Sequence, residues 1–585
     1  MKIKFQYIAA VIALAGIQDA FAQEEKNIGT EVVNVVKPYT PTISDAFKVK
    51  ETPVIEDDEI QEKKEIEYNI FSFPVASTFT PSKGRAAGVE RREREKLFNN
   101  YATLGVGNYG TVNAELFVTE NISRNAYVGG MLRHLSSQGG IDDVKLDDKY
   151  YNTSLDLTYG NRQQGYSWNA DLGYSNKVYN WYGIPFQEIE FDDATLNGID
   201  EQQTYHSLYV GGKISANDSF FKDASALYKR FWDASGSAEN RFYVTPSLDI
   251  AVLDEKIKVD FIADYVGGTF EEGFMSGEEL SYNFFNLGVQ PSILFQRDDF
   301  SVNLGAGLFY SIGKMNDESD NKFFVYPQVK ASYKVVGDLM IAYAGAEGTL
   351  KQNSYADFVE ENPFVSPTLA VAPTDQQYDI YVGLKGKLAG NVAYNIRGSY
   401  MNEDNRAFFI SNSIYSAPAF EDNAAGYAYG NSFGLVYDRL KTVSFYGELK
   451  ADFSKTVTAG INGTFNSYTT DQDEAWNLPQ FKLGANVDVD ITEKWYAGAN
   501  VFFVGERKDI SLFENTVLPG DDYFGQVVTM KSFFDLNAHV GYRYNERLTG
   551  FLRLNNIANQ DYQRWVNYPV QGFQFLVGAS YKFNF

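Results

Sequence analysis

The sequence predicts an all-β fold: a transmembrane antiparallel β-barrel of about 22 strands behind a short extended arm. A regular alternation and three of its features carry that expectation. From Phe98 to Phe585, segments of about 10 to 14 residues alternate apolar and polar side chains, the period of a strand with one face in an apolar medium. The segments exceed the usual strand of five or six residues and match the 9 to 11 that cross a bilayer at a tilt. Tyr and Phe cluster at their ends, as an interfacial girdle requires. Isolated Asp, Lys and Arg dot the polar faces, which a dry core would reject and a watery lumen accepts.

Residues 1–22 have the build of a secretory signal peptide. Lys2 and Lys4 precede an apolar run from Ile8 to Ile17, and Ala20-Phe21-Ala22 offers a cleavage site. Residues 23–97 differ from all that follows: Pro38, Pro41, Pro53, Pro74 and Pro81 interrupt helices and ladders alike, and "EDDEIQE" and "KGRAAGVERREREK" carry dense charge. This composition predicts an extended periplasmic arm. Its residues from about 66 onward are long enough to reach into the lumen, and a plain linker is the alternative.

Residues 98–585 form the predicted barrel. In "FDLNAHVGYRY", Phe534, Leu536, Ala538, Val540 and Tyr542 share one face, and Asp535, Asn537, His539 and Arg543 share the other. "VAYNIRGSY" sets Asn395 and Arg397 opposite its apolar face, and "DIYVGLKGKL" does so with Asp379, Lys385 and Lys387. With Asp156, Asp488 and Lys582 these are the candidate lumen-facing polar residues. Ten short turns fall on one side and the long connections on the other, as barrels with short periplasmic turns require, which gives 22 strands. A hairpin turning at Asp438–Lys441 would make 24 instead.

The chemistry offers little to an enzyme. There are three histidines and no cysteine, and the net charge of −25 argues against nucleic acid as a partner. Asp535 and His539 share a face four residues apart, about 13 Å along a strand, beyond hydrogen-bond reach. No catalytic, cofactor or metal residue is expected. The acidic stretches "IDDVKLDD", "QEIEFDD" and "NDESD" lack the spaced order of a calcium loop and read as hydrated surface.

The chain ends on a strand with Phe573, Phe575, Tyr581, Phe583 and Phe585 on one parity. That pattern resembles the signal read by the outer-membrane assembly machinery, which makes this machinery and outer-membrane lipid the expected partners. Residues 551 to 583, "FLRLNNIANQDYQRWVNYPVQGFQFLVGASYKF", resemble the last two strands of TonB-dependent outer-membrane receptors. There an Asn-rich turn and a Tyr lead through a Tyr-Pro…Gly loop into the final strand. Asn555, Asn556, Asn559 and Tyr562 stand for the first part, and Tyr568, Pro569 and Gly572 for the second; Phe573 replaces the usual Arg. The overall texture is similar to barrels from Bacteroidota. The run Thr30, Val32, Val33, Val35 and Val36 is similar to the short box that binds TonB.

The resemblance implies an outer-membrane barrel that binds or transports a solute, with long loops at the cell surface. Family members carry a folded plug domain ahead of the barrel, and residues 23–97 are too short and too rich in proline to make one. A barrel subunit that scaffolds an envelope machine, with other envelope proteins as partners, is the second reading.

Overall fold

The computed structural model describes residues 97–187, 190–217, 219–252, 255–274, 278–414, 425–511 and 526–585. The expected signal peptide, the TonB-box-like run and the arm up to residue 96 lie outside the described residues.

Twenty-two strands form one closed antiparallel sheet. Each pairs with its neighbours in sequence, and the last, Gln574–Phe583, pairs with both Leu548–Asn555 and the first, Asn100–Gly107. Closure leaves no row of unpaired backbone groups, the condition for a sheet to cross lipid. The strand Phe433–Asp452 runs unbroken through Asp438–Lys441, with Leu440 paired to Glu403 on one side and Thr470 on the other, which excludes the 24-strand count.

Strand length varies round the barrel, from 8 residues in Asn100–Gly107 to 21 in Glu318–Asp338. Val392–Ser411 runs on for 20 residues. A bulge after Glu403, with Asn405 at φ 54°, absorbs the irregularity and lets pairing resume at Arg406.

The two faces of the sheet differ as the alternation requires. Val382, Ile396 and Phe445 stand on neighbouring strands, 63%, 58% and 60% exposed, while Asp379, Tyr381 and Arg397 on the opposite face are buried. A closed barrel with an apolar outer band is stable only in a membrane, and this one belongs to the outer membrane. On the inner face aromatic rings lie flat over glycines of adjacent strands. A Cβ at Gly345 would meet the Tyr381 hydroxyl at 2.2 Å, and one at Gly173 would meet the Tyr209 ring at 2.0 Å. Glycine there makes room for the ring, which covers backbone that glycine leaves bare.

The helical content is slight. Asp193–Gly198 and Tyr355–Glu361 both sit in long connections between strands, and Ser354 caps the second by accepting from the Asp357 N–H at 3.1 Å.

Candidate functional site: the outer mouth and the inner wall

Short turns close one end of the barrel, and six long connections gather at the other, after Ser137, Asn180, Lys351, Ser411, Val504 and Asn555. These connections are where the sequence places its least regular apolar residues. Leu146, Trp181, Tyr182, Ile184, Phe364, Val365, Tyr427, Met530, Trp565 and Tyr568 come from all six, and they share one core with Tyr205, Phe231, Phe270 and Tyr282 of the wall. Tyr568 is its hub. Its ring stacks on Phe364 at 3.8 Å and meets Tyr182 edge-on at 4.8 Å, and its hydroxyl donates to the Asn431 carbonyl. Burial holds the Tyr568, Tyr182 and Tyr355 hydroxyls far above their ordinary range, so they act as fixed donors.

Buried loops must satisfy their own backbone, and here asparagine and glutamine side chains do so. Asn431 Nδ2 donates to the Trp181 and Gly426 carbonyls at 2.7 and 2.8 Å, and Gln571 Nε2 donates to the Gly139 carbonyl at 3.0 Å. Asn477 Nδ2 donates to the Phe409 carbonyl at 2.9 Å, and Asn556 Nδ2 to the Gln571 carbonyl at 3.1 Å. Asn477, Asn556 and Asn559 also hold positive φ, which asparagine tolerates better than other non-glycine residues.

One connection is fastened to the wall mainly through charge. Glu239 accepts from the Tyr355 N–H at 2.6 Å, the Ala356 N–H at 3.3 Å and the Tyr282 hydroxyl at 2.6 Å, at the first turn of Tyr355–Glu361. Asp233 accepts from the Tyr355 hydroxyl at 2.7 Å. Arg241 grips Asp264 with two bonds, at 2.8 and 3.0 Å, and reaches Asp357 at 2.9 Å, while Lys177 pairs with Glu360. A second connection forms a small hairpin, Arg507–Ser511 with Gln526–Met530, apart from the barrel sheet. Its Asp509 is fully buried and accepts from Asn477 Nδ2, Ser411 N–H and Ile510 N–H, yet burial still pushes its carboxyl up to about 7. Arg507, buried near Arg564, is drawn down to about 10.

The polar residues picked from the alternation lie on the inner wall, most of them engaged with neighbouring side chains and two pairs with each other. Asp379 pairs with Arg397 at 2.6 Å, and that guanidinium covers the Tyr381 ring at 4.1 Å. Asn395 accepts from the Tyr343 hydroxyl at 2.7 Å, and Lys385 lies over the Tyr343 ring at 5.4 Å. Lys387 shares the strand of Lys385 and, by parity, its face. Asp156 takes Arg133 at 2.7 Å and the Tyr209 hydroxyl at 2.8 Å. Arg543 pairs with Asp490 at 2.7 Å over the Tyr496 ring. His539 lies 3.8 Å from Asp488 across the intervening strand, over Gly498; Asn537, on the same face as Asp535, accepts from the Asn556 N–H at 3.1 Å. Lys582 sits near the closing seam, its main-chain N–H donating to the Arg547 carbonyl at 2.8 Å. In the last strand Phe575 and Tyr581 are exposed, as are Phe573 and Phe585 just beyond its ends, and Phe583 stacks on Tyr581.

The acidic loop stretches do more than face water. In "IDDVKLDD", Asp148 accepts from the Gly140 and Ile141 N–H groups at 3.0 and 2.9 Å, while Leu146 enters the core. Among the described residues no group of three His, Asp or Glu is placed to hold a metal ion.

Fold and site together define a 22-strand outer-membrane β-barrel whose outer loops pack into one core over its mouth. Solved structures of the same architecture include outer-membrane and import receptors and an iron transporter. The chain is similar to the ferripyoverdine receptor FpvA of Pseudomonas aeruginosa, with a TM-score of 0.61, 12% identity, and coverage of 83% of this chain and 72% of that one. It is similar to the ferric-catecholate import receptor Fiu of Escherichia coli K12, with a TM-score of 0.61, 11% identity and coverage of 84% and 82%. It is also similar to the FrpB iron transporter of Neisseria meningitidis, with a TM-score of 0.61, 11% identity and coverage of 83% and 82%. No protein-family model and no curated protein sequence matches the chain.

Proposed function

We propose that this chain is a receptor-type barrel that binds a solute and passes it across the outer membrane, with the loop core over its mouth as the closed gate. The observation that carries this reading is how the Tyr355–Glu361 connection is held. Glu239 and Asp233, both buried, hold its first turn, while Arg241 and Lys177 hold its more exposed side through Asp357 and Glu360. Those two ion pairs, each with a carboxylate more than half exposed, contribute little, which suits an element held at its first turn and able to let go beyond it. The structural neighbours are named for iron chelates, so ferric chelates are the first solutes to test. In the finer form of the reading, residues 30–36 engage TonB and the arm from about residue 66 reaches the lumen. The last strand, ending at Phe585, is read by the assembly machinery.

One observation favours the second reading, a barrel subunit that scaffolds an envelope machine. The wall charges are largely paired with each other, as in Asp379–Arg397, Lys330–Glu347 and Lys351–Glu403, which leaves few to greet a charged cargo. Titrating ferric chelates against the purified full-length chain, alongside affinity purification from native membranes, separates the two. Saturable binding that weakens in Glu239→Gln supports the receptor. No binding to any chelate, with stoichiometric envelope subunits co-purifying, overturns it in favour of the scaffold.

A further inference from the structure

The inner wall beneath the Tyr355–Glu361 connection holds a pocket that the fastening bonds leave unfilled. On the strands Tyr166–Asn180, Gln202–Ala216 and Phe221–Asp233, Tyr174, Val210 and Tyr228 are exposed on the lipid side. Ser175, Ser207 and Lys229 have the other parity and face inward. The register sets Ser175 beside Ser207, and Ser207 beside Phe231. Lys177 stands two residues toward the mouth from Ser175, and Lys229 two residues below Phe231. Two lysines thus bracket a pair of serines.

Ala356, Val359 and Glu360 of the connection roof this space, a cavity of about 60 Å³. A cavity of ~150 Å³ admits a benzene ring, so this one takes a single small group and no whole chelate.

The lining selects the group. Lys177 pairs with Glu360, whose carboxylate is 57% exposed. Lys229 makes no ion pair among the described residues, unlike the cations of Asp379–Arg397, Lys330–Glu347 and Lys351–Glu403. It stands opposite Arg241, whose guanidinium is already committed to Asp264 and Asp357. The Ser175 and Ser207 hydroxyls make no hydrogen bond among the described residues. Two ammonium groups and two hydroxyls therefore face this cavity with one carboxylate among them. A carboxylate has two oxygens and one charge, too few for that set. A phosphate monoester brings three acceptor oxygens and a charge of about −1.5 to −2.

We propose that this pocket binds the phosphate group of a small phosphate monoester, between Lys177 and Lys229 and on the two serine hydroxyls, and that Glu360 is the resident group it displaces. Losing Lys177–Glu360 removes one of the two exposed ties on the connection, so the arriving solute itself loosens the gate. This deepens the receptor reading, on which the gating role rests.

Isothermal titration calorimetry of the full-length chain in detergent tests this with glycerol 3-phosphate and inorganic phosphate as probes. The wild type should bind the ester saturably, and Lys229→Gln should weaken it about tenfold, the worth of one charge-assisted bond. Glu360→Gln should tighten it by removing the competing carboxylate. Glu474→Gln, which takes away a carboxylate paired with Lys508 in another connection, should leave the affinity unchanged. Lys229 is half-buried and holds no ion pair among the described residues, so its variant should fold, and heat-modifiable gel mobility checks this. Bound ester should also raise hydrogen exchange in residues 355–361. No saturable binding by the wild type, undiminished affinity in Lys229→Gln, or inorganic phosphate bound with the ester refused overturns the site; a ferric chelate that still binds would then leave the receptor reading standing. Ester binding with unchanged exchange in residues 355–361 overturns the displacement of Glu360.

Discussion

In the wall of the barrel, Tyr381 lies buried on the inner face while Val382 beside it is left 63% exposed, and each strand repeats that division residue by residue. Over the mouth, Tyr568 and Phe364 are packed on all sides, as in the interior of a soluble protein. The wall is held by its ladder, which does not depend on any single side chain. The mouth has little ladder, and depends on rings and on side-chain amides bonded to backbone carbonyls. The same residue types therefore carry different consequences, and substitutions should separate the two regions.

The largest effect should come from charge on the outer wall. Val540 shares a face with Phe534, which is half exposed, and Val540→Arg should cost about 2–4 kcal/mol near the midplane and sharply lower the heat-modifiable, membrane-assembled fraction. His539→Arg, beside Asp488 on the inner face, should be far milder. Equal tolerance would contradict the assignment of the two faces.

Next is the hub of the mouth. Tyr568→Ala removes a fully buried ring and should cost about 3–5 kcal/mol within the loop core. Hydrogen exchange should rise in residues 181–185, 363–372 and 425–433 and stay unchanged in the wall strands. Spread of the effect into the wall would join the two regions into one cooperative unit. Gly183→Ala is the smaller version: its Cβ would come within 2.3 Å of the Tyr568 ring, and overpacking of this sort costs about 1–3 kcal/mol.

The smallest effect is a pH dependence confined to the hairpin. Asp509 has a carboxyl pKa of about 7 when docked, against 3.8 when free, so its docking is strongest below 3.8 and is lost as pH rises through 7. Arg507, at about 10, stays charged over that window. Protection of residues 507–511, corrected for intrinsic exchange, should fall between pH 5.5 and 8.5 in the wild type and stay flat in Asp509→Asn. The same slope in both would assign the titration to another group.

The barrel was legible because period two is written into every strand, and because short turns such as Arg297–Asp299 mark one end. Polar positions such as Asp379 and Arg397 were legible by parity, but not their pairing, which the register of two strands decides. The loop core was not legible. Its residues follow no period, and "IDDVKLDD" or "QEIEFDD" reads as solvated because acids outnumber the apolar positions that matter. The available signal was local: Trp181-Tyr182, Phe364-Val365 and Trp565-Val566 are aromatic-containing apolar pairs in segments too irregular for strands, more apolar than exposed loops usually are. Asparagines at positive φ, such as Asn477 and Asn567, looked like ordinary turn residues.

Whether the loop core shuts the mouth is read most directly from conductance in planar bilayers. Three proteins are compared: the full chain, a variant with residues 354–366 replaced by a short Gly-Ser turn, and a variant lacking residues 23–82 with the signal peptide kept. Closure by the loops predicts low conductance for the full chain and for the arm deletion, and a large stable step for the loop deletion. A loop deletion that folds and conducts no more than the full chain, while the arm deletion opens the pore, would contradict it and make the arm the barrier.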